Sequence, residues 1–283
     1  MTFLKERIPL VSYFLLSGGF ALSGAALQSE ASLLTLLSFA GTLLFFVELR
    51  LMDEVKDFDK DQIAHPQRPL PRGVLKISQV RHAIHFLIFK MLILSFVFFA
   101  LSPLSGTLFT LVTLHLWLMY REFYVGSWLE KRPLLYAISH QLILIPLCLF
   151  NVSLAPFVTT ITSSSMAWAL MVLGLFFSYE VCRKLDPQAH PILKTYLHVY
   201  GVKGSGWILA TLSLINLLAA PIVAKSLGVS IALVVALGLA PCSSFIGVFA
   251  GLKNHKKYKS VETVATLALA LILWLPFLAK VIQ

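Results

Sequence analysis

The stretch DEVKDFDKDQIAHPQRPLPRG, residues 53 to 73, packs five carboxylates and four fixed cations into one short segment directly after an apolar run. Asp53, Asp57 and Asp61 recur every four residues. On a helix that continues past Leu51 they stack one turn apart on a single face. Glu54 stands beside Asp57 and Asp61 on that face and completes a stripe of four acids, while Asp59 points elsewhere. Like charges at this spacing repel by about 0.2–0.5 kcal/mol per pair. A divalent cation reverses that sign. Carboxylates with open coordination positions suit Mg²⁺, which keeps waters and shares itself with phosphate oxygens. The segment has no glycine-centred twelve-residue pattern of the kind a calcium loop needs.

The second half, HPQRPLPRG, presents Arg68 and Arg72 on a chain stiffened by Pro66, Pro69 and Pro71. Proline fixes φ and disfavours helix, so the two guanidinium groups project from a preorganised segment. Arginine forks match phosphate oxygens. Carboxylates for a metal beside arginines for phosphate describe a diphosphate site. Arg50, Lys56, Lys60 and Arg81 are read as topology charges only.

Those residues must be carried by membrane helices. The 283-residue chain is 58% hydrophobic and only 13% charged, against about a quarter charged in soluble domains. Nine apolar runs are long enough to span a bilayer: 8–27, 31–50, 83–102, 105–125, 133–153, 164–181, 205–224, 228–251 and 261–281. All lysines and arginines except Lys90, Lys225 and Lys280 fall at the N-terminus, at Arg50 on the edge of the first charged loop, or in the loops 51–82, 121–132, 182–204 and 252–260. Positive charge accumulates on the cytoplasmic side, so the N-terminus and the charged loops are expected there and the C-terminus opposite. This asymmetry accounts for the net charge of +10 and removes the nucleic-acid reading. Cys148, Cys182 and Cys242 lie in or beside apolar runs without metal-ligand spacing and read as buried hydrophobes. An acidic-then-basic loop follows span two and another follows span six, a loose echo of two halves facing one cavity.

The second of these loops, SYEVCRKLDPQAHPILKTYLHVYG at 178–201, carries Glu180 and Asp186 with Arg183 and Lys184 between them, then Lys194. A third, YREFYVGSWLEKRP at 120–133, sets Arg121, Glu122, Lys131 and Arg132 among Tyr120, Phe123, Tyr124 and Trp128, an expected interfacial aromatic belt. His140 and His115 are polar residues within spans and hence functional candidates, though hydrogen bonding inside the bundle accounts for either. KNHKKYK at 253–259 reads as a patch for anionic lipid.

The first loop resembles the first signature of the UbiA superfamily of intramembrane prenyltransferases, N-D-x-x-D-x-x-x-D followed by R-P-L-P-x-G. Asp53 takes the asparagine position, Glu54 the first aspartate, and Asp57 and Asp61 the other two; Arg68 to Gly73 match the basic run. The resemblance implies an all-α polytopic fold, one domain over residues 1–283, with nine transmembrane helices around a central cavity and catalytic loops on the cytoplasmic side. It implies transfer of a prenyl group from a polyprenyl diphosphate to a nucleophilic acceptor: a quinone precursor, a lipid or a sugar phosphate. Mg²⁺ would be held by Asp53, Glu54, Asp57, Asp61 and Glu180. Arg68, Arg72, Arg183, Lys184 and Lys194 would bind the diphosphate, with Asp57, Asp61 and Lys184 acting directly in its departure. At the second signature many relatives carry D-x-x-x-D, and this chain departs from it. Either Glu180 and Asp186 still supply one metal contact, or cations replace the second ion. The competing class is a transporter or lipid-binding protein that keeps the fold without the chemistry. A compact chain of this kind is expected in a prokaryotic plasma membrane, in contact with the lipid bilayer.

Overall fold

The computed structural model describes residues 2–28, 33–154, 158–250 and 258–283. Among them every regular element is helical. Eight helices, or helix pairs, are long and apolar enough to cross a membrane. The expected fourth span corresponds to Pro103–Tyr120, an 18-residue helix that is not among those eight; Thr107, Thr110, Thr113 and His115 dilute its apolar character. Glu30 and the 253–257 part of the KNHKKYK patch lie outside the described residues. The chain divides into two compact units, Met1–Thr160 and Ile161–Gln283, and each holds one of the two acidic-then-basic loops.

Unit one begins with a short helix α1 (Thr2–Arg7), anchored by buried Phe3 and followed by buried Ile8. It continues through α2 (Leu10–Leu27), α3 (Leu33–Lys56), α4 (Phe58–Ala64), α5 (Ile77–Leu101), α6 (Pro103–Tyr120), α7 (Gly126–Glu130), α8 (Pro133–Gln141) and α9 (Leu144–Ser153). The α5–α6 turn is sharp because Ser102 is extended and its hydroxyl accepts from Ser105 N at 3.4 Å, with Pro103 opening the next helix. Span five is split into α8 and α9 by Pro146, which cannot donate to the carbonyl four residues back.

Small residues let these helices approach closely. A Cβ on Gly24 of α2 would stand 2.5 Å from the Asn151 carbonyl oxygen of α9. Asn151 itself accepts from Ser38 Oγ at 2.8 Å and donates to Thr42 Oγ1 at 3.0 Å and to Leu147 O at 2.9 Å. A polar knot thus ties α3 to α9 where an unmade hydrogen bond would be costly. Next to it Phe98, Phe109 and Phe150 form a closed aromatic triangle with centroids 4.7–4.8 Å apart. Along α3, Gly41, Phe45, Glu48 and Met52 are all buried on one face. Glu48 is fully buried, and neither carboxyl oxygen meets a hydrogen-bond partner among the described residues.

Unit two comprises α10 (Ser163–Arg183), α11 (Tyr196–Leu227), α12 (Ile231–Ala250) and α13 (Tyr258–Ile282). Thr162 caps α10 through its hydroxyl, which accepts from Ser165 N at 3.1 Å. Trp168 is fully buried and donates Nε1–H to Ile272 O at 3.2 Å, joining α10 to α13. Three helices cross at Asn216: a Cβ on Gly174 would meet its Oδ1 at 2.3 Å, and its Nδ2 donates to Gly238 O at 3.2 Å. Gly201 departs from helical geometry inside α11 (φ 65°, ψ −174°), a conformation reserved for glycine.

Two stability outcomes follow. Gly24→Val forces α2 off α9 and lowers the melting temperature in detergent by the equivalent of about 1–3 kcal/mol. Glu48→Leu replaces an unsatisfied carboxyl by an apolar group of similar size and raises it by a comparable amount. Thermal unfolding followed by tryptophan fluorescence reads both.

Candidate functional site

Helix α3 does run past Leu51, ending at Lys56, and Asp57 (φ −85°, ψ −2°) separates it from α4. The turn-by-turn register survives this break. Asp57 N donates to Asp53 O at 2.9 Å, Asp61 N to Asp57 O at 2.8 Å, and His65 N to Asp61 O at 2.9 Å. Asp53, Asp57 and Asp61 are therefore carried one after another along a continuous backbone ladder. Their surroundings differ: Asp53 is half-buried, Asp57 exposed and Asp61 buried.

The arginines fold back on the acids. Arg68 Nη1 donates to both Asp61 oxygens, at 2.6 and 2.7 Å. Arg68 N reaches His65 O and Arg72 N reaches Arg68 O, while buried Leu70 pins the proline-rich run. Gly73 closes it at φ 75°, where no other residue is comfortable. Burial, and then the Arg68 guanidinium, pull the His65 imidazole below its ordinary pKa. Arg72 Nη2 donates to both oxygens of Glu6, each at 3.0 Å.

Glu54 does not complete the expected four-acid stripe. Glu54 is drawn inward by two arginines, Arg7 of α1 and Arg50 one turn earlier on α3 itself. Its Oε1 accepts from Arg7 Nη2 at 2.6 Å and from Arg50 Nη2 at 2.5 Å, and Arg50 Nε donates to Arg7 O at 3.0 Å. Its Oε2 is buried without a hydrogen-bond partner among the described residues. Sequence reading counted Arg7 and Arg50 as topology charges and passed over Glu6. The LKER tetrapeptide just before the first span carries no local mark of either partnership.

Lys56 also escaped that reading. Its Nζ donates to Met119 O at 3.1 Å, lies 3.1 Å from His140 Nε2, and sits 5.2 Å from the Tyr136 ring centroid. The Tyr136 carbonyl lies 2.8 Å from His140 Nδ1, which places that proton on Nδ1 and leaves Nε2 to accept from lysine. Three consecutive residues, Glu122, Phe123 and Tyr124, are left-handed (φ 50–58°). This turn seats the Phe123 ring edge-on against both His115 and His140, at 5.5 and 5.6 Å, and Glu122 beside the Tyr136 hydroxyl. Phe123 is thus a wedge inside unit one, while Tyr124 and Trp128 are exposed as the belt requires. Arg132 stacks on Trp128 at 4.3 Å.

In unit two, Glu180 at the end of α10 accepts from Arg183 Nη2 at 2.7 Å and Lys184 Nζ at 2.6 Å. Asp186 instead caps a turn, accepting from Gln188 N at 2.9 Å. Lys194 is exposed and left-handed (φ 44°). Glu180 is thus the counter-ion of two cations that sequence reading gave to the diphosphate.

No three His, Cys, Asp or Glu side chains converge as a metal cage among the described residues. Magnesium needs no such cage: one or two carboxylates suffice when substrate phosphates and water complete the shell. Asp53 and Asp57, one turn apart along the ladder, are hard-oxygen donors of that kind. The residues fit an ion that arrives with a phosphate ligand.

Among curated proteins no sequence matches the chain. One similar solved structure is described as "Structural and mechanistic insights into the biosynthesis of Digeranylgeranylglyceryl phosphate synthase in membranes"; it has a TM-score of 0.69 and 16% identity, with all of both chains covered. Another, an apo UbiA homologue from Aeropyrum pernix K1, has a TM-score of 0.65 and 15% identity, covering 96% of this chain and 98% of its own. At such identities the likeness shows the fold. The model of the UbiA prenyltransferase family matches residues 12–275, across both units and both charged loops, and the chain belongs to that family.

Proposed function

We propose that this protein transfers a prenyl group from a polyprenyl diphosphate to a nucleophilic acceptor in a Mg²⁺-dependent reaction at the cytoplasmic face of the membrane. Membership of the family implies prenyl transfer in membranes; the metal, the residues and the side of the membrane are our reading. The observation that carries it is the ladder Asp53–Asp57–Asp61 with Arg68 and Arg72 folded onto carboxylates beside it.

Asp53, Asp57 and Asp61 would hold Mg²⁺, with Glu54 behind them. The ion, when bound, supplies charge neutralisation for the diphosphate. Arg68 and Arg72 are carried on a fixed loop and occupied by carboxylates, so a diphosphate binds them by exchange. Its oxygens take the place of Asp61 on Arg68 and of Glu6 on Arg72. Asp61, freed from its guanidinium, would then be available to hold the metal. Guanidinium groups aimed at the departing oxygens stabilise the charge that builds as the allylic carbon–oxygen bond breaks and its electron pair leaves with the diphosphate. The acceptor nucleophile then bonds to that carbon and loses a proton. In unit two, Arg183, Lys184 and Lys194 would contact the diphosphate, with Glu180 the counter-ion of the first two until then. The acceptor class stays open among quinone precursors, lipids and sugar phosphates.

Two outcomes test this. Purified protein given geranyl, farnesyl, geranylgeranyl and longer prenyl diphosphates with membrane and soluble extracts releases inorganic diphosphate only with Mg²⁺. Chelation stops that release, and Asp57→Ala reduces it by about a hundredfold or more; release that ignores both would overturn the assigned metal site, and no release with any donor would return the transporter reading. Titration calorimetry with the same donors separates the arginine contacts. Arg72→Gln weakens binding about tenfold, while Glu6→Gln, which removes a competing exposed ion pair, tightens it by about two- to fivefold.

A further inference from the structure

The chain has eight arginines. Arg7, Arg50, Arg68, Arg72 and Arg183 are in ion pairs, and Arg121 and Arg132 lie over aromatic rings. Arg81 has no hydrogen bond, ion pair or ring contact among the described residues. It lines an open groove of ≈ 410 Å³ at the start of α5, together with Ile77, Ser78, His82 and His85. No carboxylate lines that groove. His85 is braced by Trp117 of α6 at 5.9 Å; Arg81 and His82 are exposed.

What lies beyond the groove on the same helix face identifies its occupant. His82, Phe86, Phe89, Ile93 and Phe96 follow one another at helical spacing, and the last four are exposed, Phe96 to 77%. From His82 to Phe96 is about 21 Å along the axis, more than the depth of one leaflet. An unpaired guanidinium and two imidazoles thus stand at the head of a bare apolar stripe that faces lipid. Lys90, on the same helix, lies over the Phe86 ring at 5.1 Å, as a cation does when it reaches along an apolar surface towards the headgroups.

We propose that this groove binds the phosphate headgroup of an anionic glycerophospholipid, with an acyl chain laid along Phe86–Phe96. A zwitterionic lipid brings a cation for which the groove has no carboxylate. A soluble anion gains nothing from the stripe. The assignment is independent of the prenyl-transfer reading, because none of its residues belongs to the diphosphate contacts.

The test uses the full chain purified in neutral detergent. Phosphatidylglycerol is added, with phosphatidylcholine and inorganic phosphate as the other arms. Melting temperature and lipid retention by native mass spectrometry are both read. Phosphatidylglycerol raises the melting temperature and is retained, and the other two leave it unchanged. Arg81→Gln with His82→Gln weakens retention by about fivefold or more, whereas Arg132→Gln, whose guanidinium is stacked on Trp128, does not. Equal retention of phosphatidylcholine, an equal shift from phosphate alone, or full retention in the Arg81/His82 variant would each overturn the proposal. So would displacement of phosphatidylglycerol by farnesyl diphosphate, which would assign the groove to the donor.

Discussion

Two hydrogen bonds from one nitrogen of Arg68 hold both oxygens of Asp61, and much of the surrounding segment follows from that contact. Asp61 is buried, and a buried carboxylate must be paired. Pairing it with an arginine seven residues on closes a loop, and the prolines between and after them leave the chain few other ways to run. The closed loop in turn sets where Arg72 emerges and why the chain must turn left-handed at Gly73. The same requirement, that a desolvated acid find a cation, explains Glu54 with Arg7 and Arg50. Glu48 is the contrast. It is desolvated without such a partner among the described residues, and the bundle around it is held by aromatic and small-residue packing instead.

Much of this was legible in the sequence, and the reason is periodicity. Long apolar runs announce helices, and acids at every fourth residue announce a shared helical face; α3 continues past Leu51 as the spacing requires. The glycine ending RPLPRG is where the backbone needs positive φ. What the spacing could not show was partnership across distance. Arg7 and Glu54 are 47 residues apart, and Arg72 and Glu6 are 66 apart. Nothing local in LKER distinguishes a charge that orients the chain from one that grips a carboxylate. Phe123 was misread for a related reason. An aromatic residue in a loop at the membrane surface looks like an interfacial anchor, and only the left-handed backbone turns it inwards against two histidines.

The short helix α1 acquires a role from these pairings that its length does not suggest. Six residues make no stable helix in isolation, yet Phe3 and Ile8 are buried, Arg7 fastens it to Glu54 of α3, and Glu6 reaches Arg72 on the proline-rich loop. The exposed Glu6–Arg72 pair is weak and the buried Arg7–Glu54 pair is not. One end of the attachment is therefore easily exchanged while the other stays fixed, an arrangement suited to a loop that must accept an anion without unfolding.

The left-handed turn Glu122–Tyr124 has a consequence of a different kind. Each of its residues sits in a backbone region that costs an L-amino acid about 1–2 kcal/mol, and three in succession cannot relax one at a time while the hydrogen bonds from Tyr124 N to Arg121 O and Val125 N to Glu122 O persist. Release of the turn withdraws Phe123 from both histidines and Glu122 from Tyr136 in one event. The packing of Phe123 on both histidines and of Glu122 on Tyr136 therefore hangs on one short run of backbone, so a residue that resists positive φ at any of the three positions loosens both contacts together.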